Sequence, residues 1–186
     1  MIRVVDYDPS WPRRFAALKD EYNAALARAD VAVVAIEHVG STSVPGLAAK
    51  PIIDCDIVVA AEQVTSASEV LVELGFHPQG ELGTPQRWAF KEPSRLNGTN
   101  TYVIVDGSLA LRNHLRLRDA LRADAALRDR YSAVKKRVGA TALSIEEYGQ
   151  GKNTVIQQIL AAAGVTDHER RVIDAAQAPT PDDPSR

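Results

Sequence analysis

Two aspartates, Asp54 and Asp56, interrupt an otherwise apolar run, "PIIDCDIVVA", at residues 51–60. The run is short and rich in β-branched residues, so it reads as a strand. Alternation then sends Ile53, Cys55 and Ile57 to one face and both aspartates to the other. Such a strand needs an apolar layer on one side and, on the other, an environment able to hold two carboxylates about 6–7 Å apart. Carboxylates that close raise each other's pKa, and a divalent cation between them removes the repulsion. Hard oxygen ligands suit magnesium or manganese. The plain alternative is a solvated strand face, which the poor strand propensity of aspartate weakens.

The segment before this strand, "EHVGSTSVPGLAAK" at residues 37–50, follows a second β-branched run, "VAVVAIEHV". Gly40 at the end of that run permits close backbone approach to a ligand, and the Ser41 and Thr42 hydroxyls with free N–H groups suit phosphate oxygens. The alternative is an ordinary turn with a capping serine. Lys50 reads either as a phosphate contact or as a surface charge. His38, just ahead of the turn, reads either as a pocket residue or as a satisfied strand histidine, and the motif context favours the pocket. Cys55, on the face opposite the aspartates, reads as core packing.

The rest of the chain supplies a frame. "DPSWPRRFAALKDEYNAAL" predicts a first helix capped by Ser10, with Phe15, Leu18, Tyr22 and Leu26 on one face. "AEQVTSASEVLVELGF" predicts a helix ending near Gly75. "QRWAF" and "NTYVIV" predict two strands joined by a polar loop. From Ser108 onward the pattern is helical: Ser108 and Asp124 are expected caps, and Ser144 with Glu147 fits a capping box before a helix reaching about Ala163. Gly149 and Gly151 interrupt that last pattern. The expected fold is α/β (α+β), a small mixed β-sheet flanked by helices with a helical C-terminal third, spanning residues 1–164. Residues 165–186 read as a polar tail, disordered beyond about 177. Net charge is −2 and there is one cysteine, so neither a global nucleic-acid affinity nor a cysteine-based zinc cluster is expected. With no leader-like start and no apolar run of membrane-spanning length, a cytoplasmic location without membrane contact is the expectation.

Charge is nonetheless segregated. Residues 112–137 carry nine Lys or Arg against three Asp. A solvated helix surface is the plain reading, with Leu111, Leu115, Leu121, Leu127 and Val134 turned inward. A second reading is an anion pocket facing the aspartates, in which His114 and Arg118 lie one turn apart on one helix face. Nucleic-acid binding is a weaker reading, because Tyr131 is the one aromatic among these basic residues. Arg87, beside Trp88, and Lys152, four residues after Tyr148, are further candidates for anion contact. Their alternatives are a rim arginine and a surface lysine.

Apolar-Gly40-Ser41, twelve residues, then Asp54-Cys55-Asp56-Ile57 resembles the nucleotidyltransferase superfamily pattern. More narrowly, "YDPSWPRRF", "HVGSTSVPGLAAKPIID", "LRNHLRLRDALR" and "YGQGKNTVI" resemble successive signatures of the GrpB family. The resemblance implies a nucleotidyltransferase-like sheet, a Gly-Ser turn on the phosphates of a nucleoside triphosphate, and Mg2+ or Mn2+ on Asp54 and Asp56 as catalytic residues. His38, Gly40, Ser41, Thr42, Lys50, Arg87, His114, Arg118 and Lys152 would then be nucleotide- or phosphate-binding, with an unknown acceptor. Superfamily members usually add a third carboxylate on a later strand. "NTYVIV" offers Asn100, Thr101 and Tyr102 there, and Asp106, Glu81 and Glu92 are the acids nearby in sequence. A non-catalytic nucleotide- or anion-binding module is therefore the alternative expectation.

Overall fold

The computed structural model describes residues 2–177, with side chains described through Ile173. Helix α1 (Trp11–Arg28) leads into strand β1 (Val33–Val39), a 3-10 turn (Ser41–Ser43) and strand β2 (Ile53–Val59). Helix α2 (Val64–Glu73), strands β3 (His77–Gly80), β4 (Arg87–Lys91) and β5 (Thr99–Val105) follow, then helices α3 (Leu109–Ala123), α4 (Ala125–Thr141), α5 (Ile145–Ala162) and α6 (Asp167–Gln177). The sheet order is β1-β2-β5-β4-β3, with β2 and β5 parallel and the other neighbours antiparallel. The mixed sheet and helical C-terminal third are as expected.

The alternation in β2 divides the molecule. Ile53, Cys55, Ile57 and Val59 enter a core with Trp11, Leu18, Tyr22 and Leu26 of α1 and Ala67 and Leu71 of α2. Burial and the neighbouring aspartates push the Cys55 thiol pKa up, so it stays a neutral packing group. On the opposite face, Val58 and Ile104 meet Ala110 and Leu111 of α3. Val44 and Leu47 pack with Leu121, Tyr131, Ile156 and Ile159 from the C-terminal helices. The aspartate face is therefore roofed by helices, not by open solvent.

Several local expectations meet different physics. Ser10 makes no side-chain cap; its N–H donates to Asp8 Oδ1 at 2.8 Å, so Asp8 organises the start of α1. The other caps form as expected: Ser108 accepts from Leu111 N, Asp124 from Leu127 N and Ser144 from Glu147 N. The Glu147 carboxylate reaches back to Leu143 N. Gly149 and Gly151 lie inside α5 and do not interrupt it, and a β-carbon on Gly151 would meet Val138 at 2.6 Å. The missing side chain lets α5 approach α4. Strand β3 was not expected; Pro78 and Gly80 are poor strand formers, and pairing with β4 at the sheet edge supplies what propensity lacks. Helix α6 occupies part of the segment read as a tail, docked through Val165 and Ile173 and through Arg112 to Glu169. The disorder expected beyond 177 lies outside the described residues.

Much of the basic charge is used internally. Arg122 Nε and Nη2 donate to the Ser43 carbonyl at 3.0 and 2.7 Å, Arg128 donates to the Pro45 carbonyl and Arg116 to the Gly164 carbonyl. The α3 and α4 arginines thus hold the loop that follows Gly40.

Candidate functional site

A cavity of about 270 Å3 opens between the aspartate face of the sheet and the roof of α3, α4 and α5. Gly40, Ser41, Lys50, Asp54, His114, Arg118 and Lys152 all line it, so residues more than a hundred positions apart converge. Gly40 adopts φ +67°, and a β-carbon there would stand 2.1 Å from Asp54 Oδ2. The turn and the carboxylate are in direct contact, which only glycine allows.

Asp54 faces the cavity. Its Oδ1 accepts from Asn100 Nδ2 at 2.7 Å. Burial raises its pKa, only partly offset by that hydrogen bond and by His114. Asp56 is fully buried and sits behind His114, whose Nδ1 lies 2.7 Å from Asp56 Oδ2. Burial opposes the imidazolium, but Asp56 outweighs it and raises the His114 pKa. Asp56 Oδ1 is buried without a hydrogen-bond partner. That orphaned oxygen, with the Asp54 carboxylate on the same strand face, fits one hard divalent cation. Asp56 itself does not line the cavity, and among the described residues no group of three or more His, Cys, Asp or Glu is arranged to hold a metal, so these two carboxylates are the acids such a cation would have. Asn100 stands opposite Asp54 and Tyr102 opposite Asp56 in the parallel register. Of the other acids considered, Glu81 accepts from Gln86 N and Glu92 pairs with Lys91, and neither these nor Asp106 lines the cavity.

Three residues expected at the cavity, His38, Thr42 and Arg87, do not line it. His38 shares the Cys55 side of the sheet, because β1 pairs His38 with Cys55 and Val39 with Asp54. It stacks on Phe15 at 4.6 Å and reaches Thr42 Oγ1 at 3.0 Å, away from the cavity. Thr42 donates onward to the Ile52 carbonyl, so His38 Nε2–H is the donor to Thr42. Both side chains brace the turn from behind and neither lines the cavity. Burial, with Arg122 and Arg118 nearby, lowers the His38 pKa to about 4. Arg87 does not reach the cavity wall; its guanidinium lies 4.7 Å over the Tyr102 ring. Arg118 does line the cavity, but its donors go to Glu37 Oε2, Asp119 Oδ1 and the His38 carbonyl.

The residue that sequence reasoning missed is Lys135. It falls in the stretch that reads as a solvated basic face, yet it is 2% exposed and lines the cavity, 5.3 Å over the Tyr131 ring. Lys50 and Lys152 lie over Tyr148 at 5.6 and 4.6 Å. The signal was available in part: Tyr131 and Lys135 are one turn apart, as are Tyr148 and Lys152. Burial, then Lys50, lowers the Lys152 pKa to about 8.

Residues 1–162 match the family described as GrpB protein. The UPF0157 protein BH1888 of Halalkalibacterium halodurans is 33% identical over 169 residues, covering 89% of this chain and 84% of that protein. Among solved structures, the conserved protein GrpB from Enterococcus faecalis superimposes with a TM-score of 0.75 at 29% identity, covering 87% of this chain and 96% of that one. The GLD-2/RNP-8 complex gives a TM-score of 0.57 at 16% identity over 84% of this chain and 61% of that chain, a likeness of fold. The whole cavity falls within the matched span, and the chain belongs to the GrpB protein family, built on a nucleotidyltransferase fold.

Proposed function

We propose that this protein binds a nucleoside triphosphate with Mg2+ or Mn2+ and transfers the nucleoside monophosphate to an acceptor, releasing pyrophosphate. The observation that carries the reading is the contact between the Gly40 turn and Asp54 in a cavity ringed by Lys50, Lys135 and Lys152. Asp54 and Asp56 would hold the cation, which supplies charge neutralisation at the phosphate oxygens. Gly40 and Ser41 present the turn to the phosphates. Lys50 and Lys152 offset their remaining charge. Asn100 orients Asp54 through its 2.7 Å hydrogen bond, and His114 does the same for Asp56. Arg118 ties α3 to β1 through Glu37 and keeps His114 over the strand.

Asn100 also favours a second reading. It stands beside Asp54 on the later strand, where a third acid would take the acceptor's proton, and an amide cannot take one. A binding or regulatory module with the same ligand and no turnover has that observation behind it. The two readings separate on incubation of the purified protein with each labelled triphosphate, Mg2+ and a metabolite extract. Pyrophosphate release that vanishes in Asp54→Asn supports transfer. Asp54-dependent nucleotide binding without pyrophosphate release supports the module.

A further inference from the structure

The inner end of the cavity contains polar groups that the fold does not use. Lys135 projects from α4, is 2% exposed, and its ammonium has no hydrogen-bond partner. The Tyr148 hydroxyl on α5 is buried and also has none. Lys152 lies 4.6 Å from the centre of the Tyr148 ring, one turn further along α5. The close approach of α5 to α4 at Gly151 and Val138 brings these groups together. Burying an ammonium with no acceptor is costly, and an apolar side chain of similar length would pack there more stably. The missing acceptor therefore points to a ligand.

We propose that Lys135, Lys152 and the Tyr148 hydroxyl form a subsite for the far end of a phosphate chain, so that this cavity selects its ligand by the number of its phosphates. The orientation of the chain rests on the nucleotidyl-transfer reading above: the phosphate nearest the nucleoside lies at Gly40 and Asp54, and the terminal phosphates reach α4 and α5. Several donors around one small volume suit the multiple oxygens of a polyphosphate better than a single carboxylate. A monophosphate held at the turn leaves Lys135 without an acceptor.

Occupancy also brings in protons. The titratable groups that line the cavity with Lys135 are Lys50 ahead of β2, Asp54 on β2, Tyr102 on β5, His114 and Arg118 on α3, Tyr131 on α4, and Tyr148 and Lys152 on α5. Asp54 is the acid among these, and it is itself engaged by Asn100. Burial, then Lys152, holds the Lys135 amine well below the ordinary lysine range, and an entering anion favours its protonated form.

The test is calorimetry on the full chain with Mg2+ at pH 8.5, in two buffers of different ionisation enthalpy. Tripolyphosphate, pyrophosphate, orthophosphate, ATP, ADP and AMP are the probes. Affinity should rise on the order of tenfold with each added phosphate, and proton uptake should accompany the longest chains. Lys135→Met should lose most of the preference for tripolyphosphate over pyrophosphate while raising the melting temperature, an effect that a structural lysine would not give. Tyr148→Phe, which keeps the ring, should weaken tripolyphosphate binding by a smaller factor. Equal binding of ATP and AMP, or an unchanged chain-length preference in Lys135→Met, overturns the subsite and leaves the transfer reading standing. Binding of tripolyphosphate but of no nucleotide overturns the transfer reading and keeps the subsite. Binding of none of the probes overturns both.

Discussion

Gly40 and Asp54 touch so closely that a β-carbon on Gly40 would stand 2.1 Å from Asp54 Oδ2. The glycine also holds φ +67°, a conformation that other residues adopt at a cost. Gly40→Ala therefore meets both strain and a clash with the half-buried Asp54 side chain. The expected loss is about 1–3 kcal/mol of stability, read by urea denaturation, together with loss of Mg2+-dependent nucleotide binding. Unchanged stability in this variant would mean that the turn and the strand are not packed as described.

Asn100→Asp would place a third acid beside Asp54 and Asp56. Without metal it replaces a hydrogen-bond donor by a like charge, costing roughly 1–3 kcal/mol. Mg2+ should recover that loss, so the magnesium-induced rise in melting temperature should be larger in the variant than in the wild type. Equal shifts would argue against a cation between the two aspartates. This readout needs no knowledge of the acceptor.

His38 connects stability to acid. Its pKa is about 4 in the folded protein, and its ordinary value is 6.5. The unfolded chain therefore binds the proton more readily, and the stability contributed by the neutral ring is present above about pH 6.5. It is lost as pH falls from there towards 4, reaching about 3 kcal/mol at the lower end. His38→Gln keeps a donor for Thr42 and cannot titrate, so its stability should fall less steeply across that window. Denaturation curves at several pH values between 7 and 4 check the difference. Parallel slopes for the two proteins would place the imidazole in a solvated setting.

Gly151 sets the spacing between α4 and α5. A β-carbon there would lie 2.6 Å from Val138 Cγ1, and Gly151→Ala should cost about 1–3 kcal/mol by overpacking. Because the clash is with one side chain, Val138→Ala in the same chain should recover most of the loss. A double-mutant cycle measures the coupling. Additive effects would show that the two helices are not in contact at this point.

The division of β2 into a core face and a site face was legible in the residues themselves. Period-two alternation leaves Asp54 and Asp56 on the side opposite Ile53, Cys55 and Ile57 whatever else the chain does. The caps at Ser108, Asp124 and Ser144 were legible for a similar reason, since each depends on atoms within one turn. His38 differs from its expected place although it is only two residues from Gly40. Its face follows from its pairing with Cys55, and a strand's face cannot be assigned until its register is known. Strand β3 was missed because its own residues disfavour a strand and only the neighbouring β4 makes it one.

The sequence by itself determined the turn, the paired carboxylates and the helices that follow, because each is written in spacings of two to four residues. Tertiary structure alone decided what those parts enclose. It carried Lys135 inward from a stretch of nine basic residues, placed Asn100 against Asp54 and sealed Asp56 behind His114. These contacts join residues 46 to 58 positions apart. Their geometry comes from the register of β2 on β5 and from the packing of α3, α4 and α5 over that sheet, neither of which a local pattern encodes.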